Sequence, residues 1–336
     1  VATLSDVAAH AGVSKATASR ALGRPDLVAP ATAERVRLAA AELRFVPNRG
    51  AQHLARGRTG IVSVVVPTLQ NSFFTPIIAG AQTRAESAGI HVTVAVHPLQ
   101  DEAGAARFEH LAAQVDGLIV VAPRGDDELV RRACALKPSV LVDREIPQMP
   151  SVSADTAGAF ATLVGRLAEE GHERVAFLNG PEMSWQSGQR TAAVQEAAAR
   201  LGIEVEVIGP SPATFAAGVA RADDVIATGA SVALPYASDL GLGLLFELVS
   251  RGRARFGEAG AVRSAVATTD GPPTTEHAIE VVGVPGAAAV DVDGEALGES
   301  AMDHLWTLLG GGTPGSLQVR LPVPVAEQWA GPRGRA

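Results

Sequence analysis

The side chains best suited by type to do chemistry are arginines, and the chemistry they offer is neutralisation of phosphate. Residues 1–60 carry nine Lys or Arg (15, 20, 24, 35, 37, 44, 49, 56 and 58) against four acids (6, 26, 34 and 42), a net charge of +5. The rest of the chain holds 19 basic and 32 acidic residues, net −13, so the overall charge of −8 conceals a basic module joined to an acidic body. Such an asymmetry suits a nucleic-acid reader whose body resists wrapping DNA nonspecifically.

Catalytic and metal chemistry find less support. The eight histidines show no metal-ligand spacing, and Cys134 is the single cysteine, which makes neither an internal disulfide nor a thiolate metal site. Asp291-Val-Asp293-Gly-Glu295 matches the opening of a calcium loop, but the later ligands are missing. Acids at a helix start are favourable without a metal. We find no Gly-rich phosphate loop, nucleophile elbow or Ser/His/Asp arrangement. No enzyme activity, cofactor or metal is therefore expected.

The basic module reads as helical. Thr3 and Asp6 have capping-box spacing, followed by Val7, Ala8 and Ala11 at helical intervals. Gly12 permits a tight turn and Ser14 caps a second helix to about Leu22. Gly23–Asp26 reads as a loop, and a third helix starts near Pro30 and runs to about Leu43. The run from Asn48 to Gly57 is a weak helix candidate, because Gly50 costs about 1 kcal/mol relative to Ala.

From Ile61 the grammar changes. Ile61–Pro67 is a β-branched run of the kind buried on both faces of a sheet. Strands are then predicted at 92–96, 117–121, 140–142, 174–178, 204–208, 224–228, 279–284 and 317–323. The helices between them are predicted to about residue 89 and at 102–114, 126–135, 158–170, 188–201, 212–222 and 294–309. Alternating strands and helices imply parallel sheets in an α/β fold. Residues 253–277 read as a long loop and 331–336 as a disordered tail. Residues 1–30 read as a folded amphipathic unit rather than a secretory leader, and no apolar run spans a membrane, so a cytoplasmic protein is expected.

Three motifs in sequence order carry a family resemblance. They are D-V-A-x-x-A-G-V-S-x-x-T-x-S-R from Asp6, V-x-P-x-T at 28–32, and P-N-x-x-A-x-x-L at 47–54. This compound pattern resembles the headpiece of the lactose/galactose repressor (LacI/GalR) family, and weaker matches continue to about residue 330. The resemblance implies a helix-turn-helix headpiece at 1–47, a hinge helix and linker at 48–58, and a core at 59–330. It implies that Lys15, Ala16 and Arg20 read bases in the major groove, with Arg20 suited to a bidentate contact with guanine. Ser14, Thr17, Ser19 and Asn48 look like phosphate-positioning groups. Leu54 corresponds to a minor-groove wedge with Ala51 packed beside it. Thr3, Arg49 and Ala55 complete the implied DNA-contacting set. Ala29 departs from the family's Ser before the helix-three proline, which removes a cap worth about 1 kcal/mol.

The body resembles the family's periplasmic-binding-protein-like effector core of two doubly wound subdomains. The implied subdomains are about 59–155 with 288–315, and about 156–287 with 316–330. Their crossovers are expected near 154–157, 287–292 and 315–321. The implied ligand set is Asn71, Phe73, Phe74, Asp143, Arg144, Trp185, Arg190, Ser238 and Asp239. Asp143, Arg190 and Ser238 can hydrogen-bond hydroxyls, and Trp185 or Phe74 can stack on a sugar face. Two departures stand out. Val281-Val-Gly-Val-Pro285-Gly lacks the family's acid after that strand, and Ser238 replaces an Asn. They point away from an ordinary hexose, toward a less polar or anionic ligand, or toward a site that has lost its effector. The resemblance implies a repressor that binds a palindromic operator as a homodimer, with double-stranded DNA and a carbohydrate-like effector as partners. It dimerises through Ala-rich faces near 76–88 and 102–114. A solute-binding protein of the same core architecture is the rival reading.

Overall fold

The computed structural model describes residues 2–23, 25–45, 58–253, 279–282, 289–290 and 292–326. The hinge run, Pro285 and the tail lie outside them, and so does almost all of the 253–277 segment. The chain divides into two compact units, Val1–Gly60 and Ile61–Ala336.

In the first unit, α1 spans Leu4–His10, α2 Lys15–Gly23 and α3 Pro30–Glu42. The capping box at Thr3 is present: the Asp6 amide donates to Thr3 Oγ1 at 3.3 Å, and the Thr3 amide donates to Asp6 Oδ2 at 2.8 Å. That amide holds the Asp6 carboxyl below its ordinary pKa. Gly12 takes φ 64° and turns the chain, and the Thr17 amide donates to Ser14 Oγ at 3.1 Å at the start of α2. Pro25–Leu27 forms a single 3-10 turn inside the expected loop. Ala29 makes no side-chain cap, as its type requires. The core is built from small residues, Val7, Ala8, Ala18, Ala21, Val36, Ala39 and Ala40.

The second unit begins with β1 (Ile61–Val66), α4 (Phe74–Glu86), β2 (His91–Val96), α5 (Glu102–Ala112), β3 (Gly117–Val121), α6 (Asp127–Cys134), β4 (Ser139–Val142) and β5 (Ser151–Ala154). It continues with α7 (Thr156–Glu169), β6 (Arg174–Leu178), α8 (Trp185–Leu201), β7 (Glu204–Ile208), α9 (Phe215–Ala220), α10 (Ala222–Ala227), β8 (Val232–Pro235) and α11 (Ser238–Ser250). The last elements are β9 (Glu280–Val281), β10 (Ala289–Val290), α12 (Gly294–Leu309), β11 (Gln318–Leu321) and β12 (Val325–Ala326).

Two parallel sheets result. One has the order β11-β5-β4-β3-β1-β2 and the other β7-β6-β8-β9. Successive β1 side chains point to opposite faces. Val62, Val64 and Val66 enter the core under α4 and α12, while Val65 enters the core under α5 and α6. The second sheet is also covered on both faces, with Ala176, Leu178 and Ala233 opposite Val175, Phe177 and Val232. This explains the near-continuous apolar runs of the strands.

Helices α4 and α12 cross on glycine. A Cβ on Gly298 would lie 2.0 Å from Ile77 O, and one on Gly80 would lie 2.0 Å from Glu295 O.

Three expectations need correction. Residues 224–228 are not a strand: Ala222–Ala227 is a helix, and the buried strand is Val232–Pro235. Val225 and Ala222 are buried at helical spacing on one face, which outweighs the β-branched pair Val225-Ile226. Residues 318–321 belong to the first sheet, where they pair in parallel with β5, and not to the second subdomain. The last crossover therefore falls at 322–324, after which Val325 packs on the second subdomain's core and pairs with β10. Finally, α8 begins at Trp185, three residues before the expected start, because Ser184 Oγ accepts from the Ser187 amide at 3.3 Å.

Candidate functional site

In the first unit, Lys15, Ala16, Ser19 and Arg20 are exposed along α2, and Thr3 and Ser14 are exposed at helix starts. Ala18 and Ala21 on the opposite side of α2 are buried, so the helix presents one polar, cationic face to solvent. Thr17 is half-buried and lies 2.9 Å from Ser14 Oγ, hydroxyl to hydroxyl. Asn48, Arg49, Ala51, Leu54 and Ala55 lie outside the described residues.

In the second unit, a cavity of about 480 Å³ opens where the carboxyl ends of strands from both sheets meet. Ligands in open α/β sheets bind at such ends, and this volume falls in the range of small-molecule sites. Among the expected residues Asn71, Phe73, Phe74, Asp143, Arg190, Ser238 and Asp239 line it.

Arg144 and Trp185 do not line it, which corrects two assignments. Arg144 is buried behind the cavity wall, where Nη1 donates to Pro123 O at 2.9 Å and Nη2 to Asp127 Oδ1 at 2.7 Å. Trp185 is half-buried beside Gln186, about 100° round the helix from it.

The floor of the cavity is a chain of buried polar groups. Asp143 is 3% exposed and Arg190 7%. Gln186 Nε2 donates to Asp143 Oδ1 at 3.0 Å, and Thr156 Oγ1 donates to Gln186 Oε1 at 2.8 Å. Arg190 Nε donates to Thr156 Oγ1 at 3.0 Å and its Nη1 to Tyr236 O at 2.6 Å. The guanidinium also lies 4.4 Å from the Tyr236 ring centre and 5.1 Å from that of Phe160. Such stacking holds a charge in place without consuming its hydrogen-bond donors. Burial pushes the Asp143 carboxyl above its ordinary pKa, and Arg190 pulls against that shift.

Backbone geometry supports the same site. Asp143 and Ala122 both line the cavity in the left-handed region, at φ 55° and 44°. Each costs on the order of 1 kcal/mol, and such strain concentrates at ligand clamps. It is held by ladder hydrogen bonds, Asp143 N to Val152 O at 3.0 Å and Ala122 N to Val142 O at 2.8 Å.

The mouth of the cavity is spanned by Ser72 Oγ, which donates to Asp239 Oδ2 at 2.9 Å. Asn71 turns its own loop, its Oδ1 accepting from the Phe73 amide at 3.1 Å. Phe73 and Phe74 pack edge to face, 5.9 Å apart. Phe74 also belongs to the core under β1, so it supports the wall as well as lining it.

Sequence reasoning missed Arg124, Thr156, Gln186 and Tyr236. With α8 starting at 185, Gln186 and Arg190 fall four residues apart on one helical face, a signal that the later start concealed. Among the described residues no group of three or more His, Cys, Asp or Glu is arranged to hold a metal. No helix among them is long and apolar enough to cross a membrane.

Comparison with known proteins agrees with this arrangement along the chain. The family model described as bacterial regulatory proteins, lacI family, matches residues 3–48. That for periplasmic binding proteins and the sugar binding domain of the LacI family matches residues 59–209. The maltose regulon regulatory protein MalI of Escherichia coli (strain K12) is 30% identical over 298 residues, 83% of this chain and 86% of MalI. The HTH-type transcriptional repressor CytR of the same strain is 32% identical over 223 residues, and this match spans 65% of either chain. The chain thus spans a little under two thirds of CytR. The crystal structure of the Lac repressor dimer bound to operator and the anti-inducer ONPF superposes with a TM-score of 0.80 at 26% identity, covering 97% of this chain and 98% of that one.

Proposed function

Because the chain belongs to the lacI family of bacterial regulatory proteins, we propose that it is a cytoplasmic, sequence-specific DNA-binding regulator, a repressor whose operator affinity is set by a small molecule in the cavity. The observation that carries the reading is the pairing, in one chain, of an exposed cationic face on the second helix of a helix-turn-helix unit with a buried polar cavity in an α/β core. Arg20 and Lys15 reach base edges, Ala16 offers an apolar contact, and Ser14, Thr17 and Ser19 fix register on phosphates. The run 48–57 orders on DNA as a pair of helices that seat Leu54 in the minor groove. A palindromic operator demands a two-fold dimer. The edge strand β2, with Val94 and Val96 about half exposed, supplies apolar surface beside α4 for that contact. The effector differs in affinity for the two states of the dimer, since otherwise it shifts nothing. Release of DNA on effector binding is the sense we favour.

The test is fluorescence anisotropy of the full chain on palindromic duplexes of the family type, across a salt series. Specific binding should exceed binding to random DNA by about 10³-fold or more. Arg20→Ala should weaken specific binding about 5- to 150-fold while leaving random DNA nearly unaffected. Equal loss on both duplexes sinks the base-reading role.

A further inference from the structure

Two guanidiniums face this cavity, and neither is ion-paired with a carboxylate among the described residues. Arg190 enters from α8 in the second subdomain, buried, with Nε and Nη1 tied to neutral oxygens and no ion pair among the described residues. Its Nη2 has no hydrogen-bond partner among them. Arg124 enters from the opposite subdomain, just past the end of β3. It is half-buried, and its side chain has no hydrogen bond or ion pair among the described residues. Elsewhere in the core some arginines are ion-paired, Arg174 with Glu204 and Arg320 with Glu145, while Arg131 and Arg166 donate to backbone carbonyls.

The two acids lining the cavity hydrogen-bond to other groups than these cations. Asp143 is buried, which raises its pKa against the pull of Arg190, and its Oδ1 accepts from Gln186 Nε2 and the Ala154 amide rather than from a guanidinium. Asp239 lies at the mouth and accepts from Ser72 Oγ at 2.9 Å rather than from either guanidinium. A neutral ligand that closed the cleft would strip water from two guanidiniums that have no ion-pair partner among the described residues, which is costly. An oxyanion would satisfy both through charge-assisted hydrogen bonds.

Resting on the reading of this cavity as the effector site, we infer that the effector is a small anion whose carboxylate or phosphate is bound by Arg124 and Arg190 from opposite walls. The anion itself then draws the two subdomains together. Asp143 and Gln186 receive the uncharged polar end, with Thr156 holding Gln186 and Arg190 from behind, and the Tyr236 and Phe160 rings shape the pocket around it.

Isothermal titration of the full chain with matched pairs tests this: glucose against glucose 6-phosphate, and galactose against galacturonate, with inorganic phosphate alone as a third arm. At least one anionic member should bind about tenfold or more tightly than its neutral partner, and the difference should shrink in high salt. Preference for the phosphate or the carboxylate pair identifies the source of the oxyanion. Arg124→Gln should remove at least tenfold of the anion's affinity, and Arg124→Lys should restore part of it, with the melting temperature of each unliganded variant reporting its folding. If a neutral sugar binds as tightly as its anionic counterpart, the inference is overturned and the effector reading stands. If no member of any arm binds, the effector reading falls and the inference with it.

Discussion

Replacing Thr156 by Val keeps the shape of the side chain and deletes one oxygen from the middle of a buried network. That oxygen donates to Gln186 Oε1 at 2.8 Å and accepts from Arg190 Nε at 3.0 Å, and Thr156 itself is fully buried. The substitution therefore strands an amide oxygen and a guanidinium donor together. A buried polar group left unsatisfied costs about 1–3 kcal/mol, with hydrogen bonds to charged groups at the upper end. Two such groups, relaxing partly toward the cavity, give about 2–4 kcal/mol. At about 2–4 °C per kcal/mol for a unit of this size, the melting temperature should fall by roughly 4–16 °C. Trp185, next to Gln186 on α8, supplies the fluorescence signal for urea and thermal unfolding. Thr156→Ser keeps the hydroxyl and should stay within about 1 kcal/mol of wild type. The reasoning is refuted if the Val variant unfolds within about 0.5 kcal/mol of wild type, or if the Ser variant is as damaged as the Val variant.

Three further outcomes are expected. Ser14→Ala removes the cap from α2 and about 1 kcal/mol with it; amide exchange at Thr17 should quicken several-fold while that of the second unit is unchanged. Gly298→Ala sets a Cβ 2.0 Å from Ile77 O where ordinary contact begins near 3.4 Å, so α4 and α12 must part, and overpacking of at least about 1–3 kcal/mol should appear as a lower urea midpoint. Asp143→Asn removes a carboxyl whose pKa burial raises. Wild type then loses stability as pH climbs from the ordinary aspartate range to the raised folded value, and the variant does not, so its relative melting temperature should rise with pH across that window. A constant difference from pH 4 to 8 contradicts this assignment.

Much of the headpiece is legible in its residues because its rules are local. A capping box, a turn glycine and a capping serine each act within four positions, and Thr3, Gly12 and Ser14 do in the structure what their types predict. The strands of the core are legible because burial on both faces demands β-branched runs such as Val62–Val66. Elements whose logic is tertiary were not. No element was predicted over 238–250, where Gly241 and Gly243 lower helix propensity. Gly243 is there because a Cβ would meet Phe215 O at 1.9 Å, a contact made only once α9 and α11 have packed. The site divides in the same way. Asp143 and Arg190 follow from family resemblance, whereas Gln186, Thr156 and Tyr236 join them through hydrogen bonds between residues 30 to 46 positions apart. Arg144 misled because, although adjacent to Asp143, it serves Asp127 behind the wall.

The late return of the chain to its first sheet bears on how the protein is made. The first subdomain begins at Ile61, yet Leu297, Ala301, Met302 and Leu305 of α12 fill its core, and β11 at 318–321 completes its sheet. On the ribosome those segments emerge long after β1 to β5, so the face of β3, β4 and β5 that α12 covers stays open until they do. The three-helix unit, whose core lies entirely within residues 7–40, is complete long before. The nascent chain thus carries a finished helical unit ahead of an uncovered apolar sheet, and this interval is when aggregation or chaperone capture competes with folding.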